Sequence, residues 1–89
     1  MAQREVELVN RLGLHARAAA KLVHEASQFS AKIFVSHNQE EVNGKSILGL
    51  LLLAAPYGSR LIIRAEGADE EAALDAIQKL IDGRFGEEE

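Results

Sequence analysis

Hydrophobic and polar positions along the chain switch repeatedly between a period of two and a period near 3.6. From Arg4 to Val9 they alternate, with Val6 and Leu8 facing one way and Glu5 and Glu7 the other, which predicts a half-buried strand. Asn10-Arg11-Leu12-Gly13-Leu14 breaks that alternation. From Ala16 onward Ala19, Leu22, Val23 and Ala26 recur at helical spacing, while Arg17, Lys21, His24 and Gln28 share another face, as in an amphipathic helix. Lys32 to Ser36 alternates again around Ile33 and Val35. The polar turn His37-Asn38-Gln39-Glu40 then leads to a short strand near Glu41-Val42-Asn43, so a hairpin is expected. Ser46 is an N-cap candidate for a second, shorter helix that Pro56 and Gly58 prevent from continuing. Arg60 to Glu66 forms a further strand with Leu61, Ile63 and Ala65 on one face, closed by Gly67. Asp69 is expected to cap a third helix, with Glu70 and Glu71 offsetting the positive end of its dipole. Leu74, Ile77, Leu80 and Ile81 form its buried stripe, and Gly83 stops it.

The order βαββαβα predicts an α+β open-faced sandwich: one mostly antiparallel four-stranded sheet with three helices on a single face. With 89 residues the chain makes one domain over positions 1–89, without internal repeat or linker. The three terminal glutamates, 87–89, repel one another and are expected to form a mobile acidic tail.

Composition removes several classes of chemistry. Hydrophobic residues make up 47% and charged residues 27%, which suits a folded domain. The absence of cysteine leaves no disulfide, no thiolate nucleophile and no thiolate metal site. Ten basic against fourteen acidic residues give a net charge of −4, the wrong sign for a nucleic-acid partner, and Tyr57 and the three phenylalanines form no stacking platform. The start of the chain does not resemble a signal sequence, and the longest apolar run, Leu50 to Pro56, falls far short of the ~18 residues that span a bilayer. A cytoplasmic protein without membrane insertion is expected. His24 stands nine residues beyond His15, about 13 Å along a helix axis, too far to share a metal. His37 falls in the hairpin turn, where an exposed loop histidine is expected rather than a ligand. No nucleotide-binding glycine loop or Ser-His-Asp arrangement can be placed, so neither a metal nor another cofactor is expected.

His15 is the residue with chemistry to offer. It stands between the Gly13-Leu14 break and the first helix, ahead of the amides of Ala16, Arg17 and Ala18, which a helix leaves without carbonyl partners and which can bind an anion. Arg17 adds a forked cationic donor suited to phosphate oxygens. The positive helix end favours an uncharged, nucleophilic ring. Once that ring carries a phosphoryl group, the same end stabilises the new charge by about 0.3 to 1 kcal/mol. With no second base or metal to activate water, such a site suits storage and transfer rather than hydrolysis. Position alone leaves a second reading open, in which His15 merely caps the helix.

Gly13-Leu14-His15-Ala16-Arg17-Ala18-Ala19 closely resembles the active-site signature of HPr, the histidine-containing phosphocarrier of the bacterial phosphoenolpyruvate:sugar phosphotransferase system. Asn43-Gly44-Lys45-Ser46-Ile47-Leu48-Gly49 resembles its second motif, and the likeness extends over the whole chain in length and segment order. The resemblance implies that His15 accepts a phosphoryl group at Nδ1 from Enzyme I and passes it to the A components of sugar permeases, with Arg17 and the backbone of Ala16 and Arg17 holding it. It also implies that Ser46 is a target of an HPr kinase/phosphorylase. The family usually has proline where this chain has Ala18; alanine should loosen the helix start slightly and alter rates without removing His15 or Arg17.

In the second helix, Ile47, Leu50, Leu51 and Ala54 can share a face that meets the sheet, while Leu48, Leu52 and Ala55 make a second apolar row. One reading is a helix packed deep in the core. The other is a docking patch that includes Ile47, Leu48 and Leu52, flanked by the basic Lys21, His24 and Lys45, for acidic partners. Ser46 serves as a plain N-cap in the first reading and as a regulatory phosphorylation site in the second, where its added charge would repel such a partner. The leading expectation is therefore a monomeric phosphoryl carrier that is not itself an enzyme. Its alternatives are a nitrogen-related branch, a purely regulatory interaction module, and a small-ligand sensor.

Overall fold

The alternating segments become strands and the 3.6-period segments become helices. A computed structural model, which describes residues 1–88, forms β1 (Ala2–Glu7), α1 (Ala16–Ala26), β2 (Lys32–His37), β3 (Glu40–Asn43), α2 (Ile47–Leu52), β4 (Arg60–Glu66) and α3 (Glu70–Asp82), then a 3-10 turn, Arg84–Gly86. The strands lie in the order β1-β4-β2-β3, and every neighbouring pair is antiparallel. Register puts Val6 opposite Leu61 and sets Ile33 and Val35 opposite Ala65 and Ile63, so one face of the sheet is an unbroken apolar surface. Asn38 and Gln39, both at positive φ, close the β2–β3 hairpin as a two-residue turn requires.

The helices cover that apolar face. Ala18, Ala19, Leu22 and Ala26 of α1 and Ala73, Leu74, Ile77 and Ile81 of α3 are buried, whereas α2 buries only Leu50. The opposite sheet face is polar: Arg64 lies 4.4 Å over the Phe34 ring and donates to Glu41 and Glu66 at 2.8 and 3.1 Å.

Several details differ from the periodicity. β1 begins at Ala2 and ends at Glu7, although Leu8 continues the ladder, its amide donating to Ser59 O and its carbonyl accepting from Gly58 N, both at 2.9 Å. The Asp69 side chain does not cap α3. It accepts instead from the amides of Ser30 and Ala31, both at 2.8 Å, and so ties the α3 start to the entry of β2. Gly83 does cap α3, as expected, and the turn beyond it seats Phe85 in the core. α2 stops at Leu52, short of Pro56. The amides of Leu53 and Ala54 bond three residues back, and Ala54 turns the chain at φ +50°.

Two outcomes follow from these contacts. Ala54 is exposed and occupies a conformation that glycine adopts without steric cost, so Ala54→Gly should raise the unfolding free energy by about 1 kcal/mol, measured by urea titration. The Ser30 amide, opposed by burial and joined by that of Ala31, holds the Asp69 carboxyl below its ordinary range. The unfolded chain therefore takes up that proton first. Stability from Asp69 is present above the unfolded carboxyl value of about 3.9 and is lost as pH falls through the lower folded value. In Asp69→Asn the urea midpoint should be lower at neutral pH, and its decline below about pH 4 should be shallower.

Candidate functional site

The segment before α1 is fixed by a fully buried polar side chain. Asn10 Nδ2 donates to Gly13 O at 2.7 Å, and Gly13 N donates back to Asn10 O at 3.1 Å, closing the bend. Gly13 sits at φ +68°, and a Cβ there would lie 2.6 Å from Ala55 O, so no other residue fits. Leu14 is buried and donates to Ala55 O at 2.9 Å, strapping the loop to the chain beyond α2.

His15 follows as the α1 N-cap, in extended conformation with φ −85° and ψ 179°, and its carbonyl accepts from Ala19 N at 2.8 Å. Its ring makes no capping hydrogen bond. The reading of His15 as a mere cap therefore lacks the contact it requires. No backbone carbonyl accepts from the amides of Ala16, Arg17 or Ala18 among the described residues. Arg17 is exposed, and its side chain makes no hydrogen bond or ion pair among the described residues.

The His15 side chain is 28% exposed, and its Nε2 is hydrogen-bonded to Glu87 Oε2. The other Glu87 oxygen accepts from Asn10 Nδ2 at 3.0 Å. Burial opposes ionisation of Glu87, but the hydrogen bonds from Asn10 and His15, with the charges of His15 and Lys21, outweigh it and hold the carboxyl below its ordinary range. Within the expected acidic tail, Glu87 thus meets two hydrogen-bond donors. Glu88 is exposed, and Glu89 lies outside the described residues.

The expected flanking residues divide into two kinds. Lys21 Nζ donates to Phe85 O at 2.5 Å and Lys45 Nζ to Phe29 O at 2.8 Å, so both ammonium groups are tied to backbone; His24 is exposed on α1. Ile47, Leu48 and Leu52 are 43%, 68% and 68% exposed, which excludes the deeply packed reading of α2. The predicted inward row fails in part, because Ile47, Leu51 and Ala54 are exposed, while Ala55, assigned to the outer row, is buried. Ser46 Oγ caps α2 by accepting from Gly49 N at 3.0 Å. His37 ends β2 rather than lying in a loop, is half-buried, and leaves Nδ1 without a partner. Among the described residues no three His, Asp or Glu side chains could together hold a metal, and no helix is long and apolar enough to cross a membrane.

Residues 2–83 match the family described as PTS HPr component, phosphorylation site. The chain belongs to the HPr family. It is 47% identical over its full length to the whole of the phosphocarrier protein HPr of Neisseria meningitidis. It is 44% identical over 85 residues, 96% of this chain and 93% of the other, to the phosphocarrier protein NPr of Shewanella violacea. The crystal structure of HPr-C-His from Thermoanaerobacter tengcongensis superposes with a TM-score of 0.96 at 44% identity, each chain covered completely. The open sandwich is thus the HPr fold, and the protein is a phosphocarrier of the phosphotransferase system rather than a catalyst. Within this HPr fold, sequence reasoning missed the contact of Glu87 with His15, because no spacing links positions 15 and 87.

Proposed function

We propose that His15 takes a phosphoryl group from phosphorylated Enzyme I and hands it to the A components of sugar permeases, in the cytoplasm and as a monomer. The carrying observation is the imidazole at the α1 N-cap that does not cap its helix, beside three amides with no carbonyl partner. A phosphoryl group there meets the positive helix end, and the unengaged Arg17 side chain lies on the same turn to hold its oxygens. In the transfer the Nδ1 lone pair forms the new N–P bond as the bond between phosphorus and the donor's histidine nitrogen breaks, its electron pair returning to the donor. The next acceptor reverses the step at His15.

Docking rests on the exposed Ile47, Leu48 and Leu52, with Lys21, His24 and Lys45 as the basic surround for acidic partners. Phosphorylation of Ser46 by an HPr kinase/phosphorylase adds roughly two negative charges at the start of this patch and opposes such a partner. A relay other than sugar uptake is the second reading, favoured by the similarity to NPr, nearly as high as that to HPr. Only the donor and acceptor proteins differ between the two.

Incubation with Enzyme I and phosphoenolpyruvate should give an acid-labile, alkali-stable adduct, seen by phosphorus NMR and absent in His15→Ala. A wild-type chain that stays unmodified refutes the carrier reading. Ser46→Asp keeps a good N-cap, so the fold should hold while charging by Enzyme I weakens; unchanged kinetics would contradict the docking role.

A further inference from the structure

The contact between Glu87 and His15 joins the segment beyond α3 to the N-cap of α1. Glu87 follows Phe85, the last buried side chain, yet its two carboxylate oxygens meet two donors of the active-site loop, Asn10 Nδ2 and His15 Nε2. Asn10 is fully buried, and its amide is oriented by two acceptors, Gly13 O and Glu87 Oε1. The carboxylate therefore has a fixed support on one side and the imidazole on the other.

An ionised carboxylate can only accept hydrogen bonds. In the uncharged form that can attack phosphorus, the imidazole has one proton for two nitrogens, so the nitrogen facing Glu87 must carry it. Nδ1 has no hydrogen-bond partner among the described residues and keeps its lone pair. We infer that Glu87, held by Asn10, is a positioning residue that fixes His15 as the Nε2–H tautomer and so reserves Nδ1 for phosphorus. As Nδ1 forms its bond and the donor's P–N bond breaks, the Nε2 proton stays in place. The positive charge developing on the ring then faces the Glu87 carboxylate. The arrangement follows the general logic of a nucleophile oriented by a third group.

This inference rests on His15 as the phosphoryl acceptor, and its test separates the two. The ring nitrogens of 15N-histidine-labelled protein, full-length and without partners, report the tautomer directly by NMR. Glu87→Ala removes the acceptor. Glu87→Gln keeps the size but can donate as well as accept. In both variants the ratio of Nε2–H to Nδ1–H should fall about threefold to tenfold, the range expected for losing one such hydrogen bond. The single-turnover rate of phosphoryl uptake at saturating phosphorylated Enzyme I should fall by a similar factor, with little change in the Enzyme I concentration needed for half-saturation. A ratio common to wild type and both variants overturns the inference, and so does a shifted ratio with an unchanged saturating rate. A wild-type chain that takes up no phosphoryl group refutes the carrier reading instead, and the tautomer ratio then still decides what Glu87 does to the ring.

Discussion

The first turn of α1 must leave three amides without carbonyl partners, and the fold places that turn at the surface while burying the turns behind it. Ala18, Ala19, Leu22 and Ala26 anchor the helix against the sheet, whereas Ala16 and Arg17 stay exposed and His15 half-exposed. A helix end of this kind would drift if the chain leading into it were free. Gly13, pressed against Ala55, and the buried amide of Asn10 prevent this. Removing either restraint would leave the donors present but without a fixed direction, and an anion site depends on direction as much as on charge.

The second helix, α2, is short and ends in a tight turn at Ala54. Six residues of helix cannot turn four leucines toward one layer, and only Leu50 reaches it. Leu48 and Leu52, one helical turn apart, remain in water, each 68% exposed. A phosphocarrier meets other proteins as part of its work, so an apolar surface that is covered only during those meetings is consistent with the family.

Strands and helices were legible because their periods differ and their buried faces are continuous, as with Ile33 and Val35 in β2 or Leu74 and Ile77 in α3. The His15 segment was legible as local chemistry, a histidine ahead of open amides. What could not be read depends on distance along the chain or on the area available for burial. Asp69 has the residue type of a cap, but the nearby Ser30 and Ala31 amides offer it better partners. Ile47 and Leu51 occupy plausible inward positions on a helical wheel, which takes no account of how much sheet remains to be covered. Glu87 looked like one of three repelling charges, because nothing local announces Asn10 and His15 as its donors.

The two edges of the sheet are β1 and β3, and both are lined with acid: Glu5 and Glu7 on one, Glu40 and Glu41 on the other. An incoming strand of another protein would have to bring its backbone alongside these carboxylates, which discourages annealing at either rim. Such rims favour side-chain contacts, which part more readily than a ladder of main-chain bonds. For a phosphocarrier, a rim that resists lasting union with a foreign strand matters as much as a surface that is recognised.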